Sequence, residues 1–178
     1  NHMRIEDDRP AALKGALGDQ DGAIAHCGTG SFLGCQINGT RQLIGGWGPR
    51  LGDAASAQWL GRQALSYTLD VVDGLLPASP LSAAILKDLN SAAGIVAFAG
   101  TATPSAFGRF AQDVTRQAHS GVPTAQALLQ RGADYVSQNL NKLGWTPGMR
   151  LCLTGGVAAN YAPYLPQVLR QALTEPAG

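Results

Sequence analysis

Glycine placement constrains this chain more than any other feature. Among its 23 glycines, Gly28/Gly30, Gly45/Gly46/Gly48/Gly52 and Gly155/Gly156 each stand where an apolar run stops. Glycine admits positive φ and lets other atoms approach the backbone closely, so such clusters mark tight turns between elements. Ala23 to Cys27 enters the first cluster, Phe32 to Ile37 leaves it, Gly39 marks a second turn and Arg41 to Ile44 returns. Short apolar runs bounded by glycine predict a three-stranded antiparallel meander within residues 22–46.

Beyond Asp53 the period changes. Leu60, Ala64, Leu65, Thr68, Leu69 and Val72 recur at three- and four-residue spacing, which predicts a helix beginning near Asp53 and ending before Gly74. The middle is Pro- and Ser-rich (Pro77, Ser79, Pro80, Ser82), and Ile95 to Ala99 reads as one more short strand or buried segment. Further helices are expected from Pro104, from Pro123 and from Tyr161, with Leu151 to Thr154 as a buried strand between the last two. Strands first, then alternating helix and strand, describe one α/β domain over residues 1–178 with a mixed sheet of the ribonuclease-H-like type.

Composition excludes several classes. Thirteen Lys and Arg against twelve Asp and Glu, scattered from Arg4 to Arg170, leave no basic footprint for nucleic acid or an anionic membrane. No apolar run approaches the roughly 20 residues of a membrane span, and Asn1-His2-Met3-Arg4 does not open a signal peptide, so a soluble, cytoplasmic protein is expected. Cys27, Cys35 and Cys152 are odd in number and not closely spaced, against a disulfide framework, a zinc knuckle or a four-thiolate cluster within one chain. His26 reads as a strand residue and His119 as a helix-end residue, neither with a metal-ligating neighbour.

Three glycine turns and one acid carry candidate chemistry. Gly28-Thr29-Gly30-Ser31 presents amides and hydroxyls suited to phosphate oxygens, though alone it is equally a Gly-rich hairpin. It lacks the Gly-Lys-Ser/Thr of a Walker loop, and a strand rather than a helix follows it. Gly45-Gly46-Trp47-Gly48 closing on Asp53 sets an aromatic plate beside a carboxylate, the means by which proteins hold a sugar ring; the other reading buries Trp47 and makes Asp53 a helix cap. Gly155-Gly156 follows a strand, where ligands of α/β sheets settle. Asp8, preceded by Glu6 and Asp7, stands at a helix start before Pro10, either as a dipole-stabilising acid or as a proton acceptor.

Taken in order, Asp8 with Ala11-Ala12-Leu13, Asp21-Gly22-Ala23-Ile24 leading into Gly28-Thr29-Gly30-Ser31, Gly45-Gly46-Trp47-Gly48 with Leu51-Gly52-Asp53, and Leu153-Thr154-Gly155-Gly156-Val157-Ala158 resemble the BadF/BadG/BcrA/BcrD-type ATPases. That family lies in the sugar-kinase and actin-like ATPase superfamily and includes N-acetylglucosamine and glucosamine kinases. The resemblance covers nearly the whole chain. It implies an ATP-dependent amino-sugar kinase in which Asp8 is the base, Gly28, Thr29, Gly30 and Ser31 form the second phosphate loop, Gly155 and Gly156 the adenosine loop, and Gly46, Trp47 and Asp53 the sugar side.

Two departures accompany it. Relatives carry an acid after the aspartate, where this chain has Ala54. They also begin with a lobe bearing a first phosphate loop that helps hold Mg2+, a segment not found here, so the resemblance implies a C-terminal lobe of a two-lobe kinase, inactive alone, with ATP and Mg2+ as cofactors and no metal site of its own. An amino sugar is the expected partner, and a homodimer is left open. Two other readings remain: an ATPase activator of a 2-hydroxyacyl-CoA dehydratase, which would share an iron–sulfur cluster between subunits, and a non-catalytic regulatory lobe of the same fold.

Overall fold

The computed structural model describes residues 8–177, so Glu6 and Asp7 lie outside the described residues. Its middle layer is a four-stranded sheet in the order β3-β2-β1-β4. β1 (Gly22–Cys27), β2 (Ser31–Ile37) and β3 (Thr40–Gly45) form the expected antiparallel meander. β4 (Arg150–Thr154) joins β1 in parallel, with Gly22 opposite Arg150. The two central strands are covered on both faces, which is why their sequences read as near-continuous apolar runs and not as alternations.

Pleating divides their side chains between two cores. Ile24, Phe32 and Cys152 meet Leu13, Ala16 and Leu17 of α1 (Arg9–Leu17), whereas Ala23, Ala25, Cys27, Leu33 and Cys35 face the larger helical layer. α1 lies close because Gly34 in β2 has no side chain; a Cβ there would stand 2.9 Å from Leu43 and 3.1 Å from Leu13. The larger layer comprises α2 (Ala57–Val72), α3 (Pro80–Leu89), α4 (Ala92–Thr101), α5 (Pro104–His119) and α6 (Pro123–Lys142). A 3₁₀ helix (Ala158–Tyr164) and the short α7 (Gln167–Gln171) complete the chain. No single helix among the described residues is long and apolar enough to cross a membrane.

Three sequence expectations are corrected, and the Pro- and Ser-rich stretch takes a definite form. The helix placed at Asp53 starts at Ala57 with Ser56 as its cap, because Asp53 (φ 60°) and Ala55 (φ 67°) hold backbone conformations no right-handed helix contains. The Pro/Ser stretch is the start of α3: Ser79 accepts from Ser82 N while Ser82 Oγ accepts from Ser79 N, and Pro80 fits a first turn that has no use for its missing N–H. Ile95 to Ala99 is helical within α4, started by Ser91 accepting from Gly94 N, and only Ile95 of that helix is buried. The terminal helix expected from Tyr161 is divided by Pro163 and Pro166, after which Leu173 pairs in parallel with Leu151 at the sheet edge.

Candidate active site

Parallel β1 and β4 end side by side, so the turns that follow them open on one edge of the sheet. His26 Nδ1 and Thr154 Oγ1 lie 3.0 Å apart across that pair, with the imidazole stacked on Phe32 at 5.2 Å. Burial holds the His26 pKa below its usual value. Gly155 (φ 90°) packs directly on β1: a Cβ there would stand 2.5 Å from the Cys27 carbonyl carbon and 2.6 Å from Gly28 N. Val157 N also donates to Cys27 O at 3.1 Å. The first and third glycine turns therefore form one continuous surface, on which Thr29, Gly155 and Gly156 are exposed.

The second cluster is fastened to the first. The Asp53 carboxylate is 6% exposed, accepts a hydrogen bond from Gly48 N at 3.2 Å, and abuts Gly30, whose Cβ would stand 2.9 Å from Oδ2. Ser31 donates from its hydroxyl to Ala54 O at 2.6 Å, and Ala57 N donates to Gly28 O at 2.8 Å. Ser31 thus belongs to the phosphate turn with its hydroxyl already committed to the neighbouring loop. Tyr161 of the 3₁₀ helix, fully buried against α6 in a notch left by Gly132, donates to Ala55 O at 2.9 Å and braces the positive-φ segment from behind.

Trp47 is 74% exposed, so it is not a core residue, and Asp53 is not the cap of α2. Its indole faces the Arg9 guanidinium, 5.8 Å from the ring centroid, and Arg9 also donates to Gly45 O. Gly46 (φ 72°) admits Arg9 at close quarters, since a Cβ there would meet its Cδ at 2.8 Å. Asp8 immediately precedes α1, exposed and one residue from this contact; its side chain does not cap the helix, and no hydrogen bond or ion pair reaches its carboxylate among the described residues. A cleft of about 380 Å³ runs between Trp47, Asp53, Trp59 and Tyr135.

Tyr135 escaped the sequence reading, because it lies off the apolar stripe of α6 and carries no motif. Its hydroxyl pKa is raised by burial first, then by the charges of Cys27 and Asp53, so it stays protonated and can donate into the cleft. Cys27, wholly buried behind the phosphate turn, is pushed up to about 12 and is no nucleophile. All three cysteines are buried and unbridged. No group of three His, Cys, Asp or Glu that could share a metal ion occurs among the described residues.

This architecture is that of the actin-like ATPase fold. A crystal structure described as a candidate N-acetylglucosamine kinase of Chromobacterium violaceum matches with a TM-score of 0.83 at 34% identity, over 93% of this chain and 59% of that one. A second, from Porphyromonas gingivalis, has a TM-score of 0.66 at 21% identity, over 92% and 59% of the respective chains, and bears on the fold alone. The chain belongs to the BadF/BadG/BcrA/BcrD ATPase family, whose profile matches residues 4–176. Curated relatives are a glucosamine kinase of Vibrio cholerae, 29% identical over 98% of this chain, and an N-acetyl-D-glucosamine kinase of Dictyostelium discoideum, 29% identical over 79% of it. This chain spans 60% and 47% of the length of those two relatives.

Proposed function

We infer that this chain is the C-terminal lobe of a two-lobe kinase that transfers the γ-phosphoryl group of ATP to a hydroxyl of glucosamine or N-acetylglucosamine. The observation that carries the reading is the junction of the turns: Gly155 lies against Cys27-Gly28, and Asp53 bridges Gly30 to the Trp47 loop. A nucleotide laid from Gly155-Gly156 to Gly28, Thr29 and Gly30 would bring its phosphates beside the cleft where Trp47, Asp53 and Tyr135 can hold a sugar. The names of the relatives supply the amino sugar.

Within that reading the sugar ring stacks on Trp47, with Asp53 accepting and Tyr135 donating hydrogen bonds to its hydroxyls. Asp8, without an ion-pair partner, takes the hydroxyl proton as the oxygen bonds to the γ-phosphorus and ADP departs. Asp53 is the carboxylate placed against the phosphate turn. Mg2+ commonly binds through one or two carboxylates together with substrate phosphates, so it would arrive with the nucleotide and draw further ligands from outside this chain. The ATPase-activator reading finds less support, because Cys27, Cys35 and Cys152 are all buried where a cluster shared between subunits needs surface thiolates.

The test is ADP release by the full-length protein carrying this chain, with glucosamine, N-acetylglucosamine and glucose as acceptors. An amino-sugar-dependent rate is expected, and Asp8→Asn should lower kcat by at least about 10²-fold while leaving the sugar KM within a few-fold. ADP release indifferent to either amino sugar would overturn the proposal.

A further inference from the structure

A second cavity borders the Trp47–Asp53 loop and shares no lining residue with the cleft just described. It measures about 470 Å³, a size suited to a small metabolite, and forms where the loop, the first turns of α2, the end of α4 and the start of α5 converge. Pro49, Ala99, Ala102, Pro104 and Phe107 give it an apolar wall. Its polar groups are Arg50, Gln58 and Arg62, the last two one helical turn apart on α2.

These three groups are mostly donors, and two of their buried nitrogens lack partners among the described residues. Gln58 is 1% exposed, yet its Nε2 makes no hydrogen bond, and neither does the buried Nε of Arg62. No ion pair involves Arg50 or Arg62 among the described residues, and no acidic side chain lines the cavity. Leaving a buried donor unpaired is costly, more so when the group is charged, so native proteins satisfy such groups or give them a ligand. Two guanidinium forks and an amide fit the oxygens of a phosphate, and the apolar wall fits a small body attached to it.

We propose that this cavity is a binding site for a small phosphate monoester or free phosphate, held by Arg50, Arg62 and Gln58. The site is joined to the candidate active site through the turn that bears Arg50. Gly52 N donates to Gly48 O at 2.9 Å to close that turn, Gly48 N holds Asp53, and Gly52 packs on Trp47, where a Cβ would stand 3.1 Å from the Trp47 Cβ. A dianion that grips Arg50 therefore fixes the turn that positions Trp47 and Asp53. The phosphate site itself does not depend on the kinase reading.

Calorimetry on this chain tests it with two probes, inorganic phosphate and glycerol 3-phosphate, the second lacking the pyranose ring that the sugar cleft would take. Saturable binding is expected, at least about tenfold weaker in Arg62→Met and in Arg50→Met and unchanged in Thr29→Val, which alters an exposed turn that does not line the cavity. Tighter binding of the ester assigns the apolar wall to the ligand body; equal affinities assign the site to free phosphate. A phosphate-dependent change in tryptophan fluorescence that disappears in Trp47→Phe is the expected sign of coupling. The site is refuted if folded Arg62→Met and Arg50→Met bind both probes as the unmodified chain does, if Thr29→Val alone abolishes binding, or if neither probe binds at millimolar concentration.

Discussion

Tyr161→Phe removes one oxygen atom from a fully buried ring and leaves everything else in place. The ring itself keeps its notch against Gly132, so no cavity opens beyond the hydroxyl. What changes is Ala55 O, on a residue that is 0% exposed and is turned inward by a φ of 67°. That carbonyl loses its 2.9 Å partner and has no route to water. An unsatisfied buried acceptor costs about 1–3 kcal/mol, which for a domain of this length corresponds to a fall in Tm of roughly 2–4 °C per kcal/mol. Gly132→Ala attacks the same contact from the other side. Its Cβ would stand 2.3 Å from Tyr161 Cε1, so the ring must leave and the hydrogen bond goes with it. Urea denaturation of both single variants and the double variant forms a cycle in which the two losses should fall short of additive by at least about 0.5 kcal/mol, since the second change removes a bond already broken. Additive losses, or a Tyr161→Phe change within about 0.5 kcal/mol of zero, would show that Ala55 O does not depend on Tyr161.

Gly155→Ala must force a side chain onto a backbone with φ 90° and into the Cys27-Gly28 peptide 2.5 Å away, and a loss of at least about 2 kcal/mol is expected together with lost nucleotide binding by calorimetry. Asp53→Ala withdraws the acceptor held by Gly48 N, and sugar affinity measured by titration should fall by about 1.5–3 kcal/mol, with a smaller effect on turnover of bound sugar. His26 has its pKa lowered by burial, so folding favours the neutral ring: its contribution is complete above the ordinary histidine pKa of about 6.5 and is lost as pH falls below that toward the depressed folded value. Thermal melts from about pH 7 down to about pH 5 should show that loss, and His26→Gln should flatten the part of the slope it contributes.

The meander and the helices opening at Pro104 and Pro123 were legible because their signals are local: glycine-bounded apolar runs, and a proline at the first turn ahead of a periodic stripe. The meeting of the first and third glycine turns at one end of the sheet followed from the same signals. Less visible was the segment from Asp53 to Ser56, whose two positive-φ residues carry no glycine; the conformation is held by Ser31 and Tyr161, which donate to its carbonyls from 23 and 106 residues away. α4 misled for a related reason. Ile95-Val96 looks like a strand, but Ser91 caps a helix there, and Val96 is left 62% exposed. Tyr135 and the Arg50–Arg62 cavity have no sequence signature, because they arise where separate helices cross.

The parallel pairing of β1 with β4 also governs when the site comes into existence. His26 and Thr154 are 128 positions apart, with all of α2 to α6 lying between them in the chain. Closing so long a loop precedes its energetic return, a topology associated with slow folding. During synthesis the chain therefore holds its Gly28–Ser31 turn for most of its length without the Gly155 surface that completes it. On the proposed reading, a nucleotide spanning both turns would bind only the finished sheet, and its affinity would add to global stability by mass action. Ligand-dependent protection of β1 and β4 amides from exchange would register the completion of the fold itself.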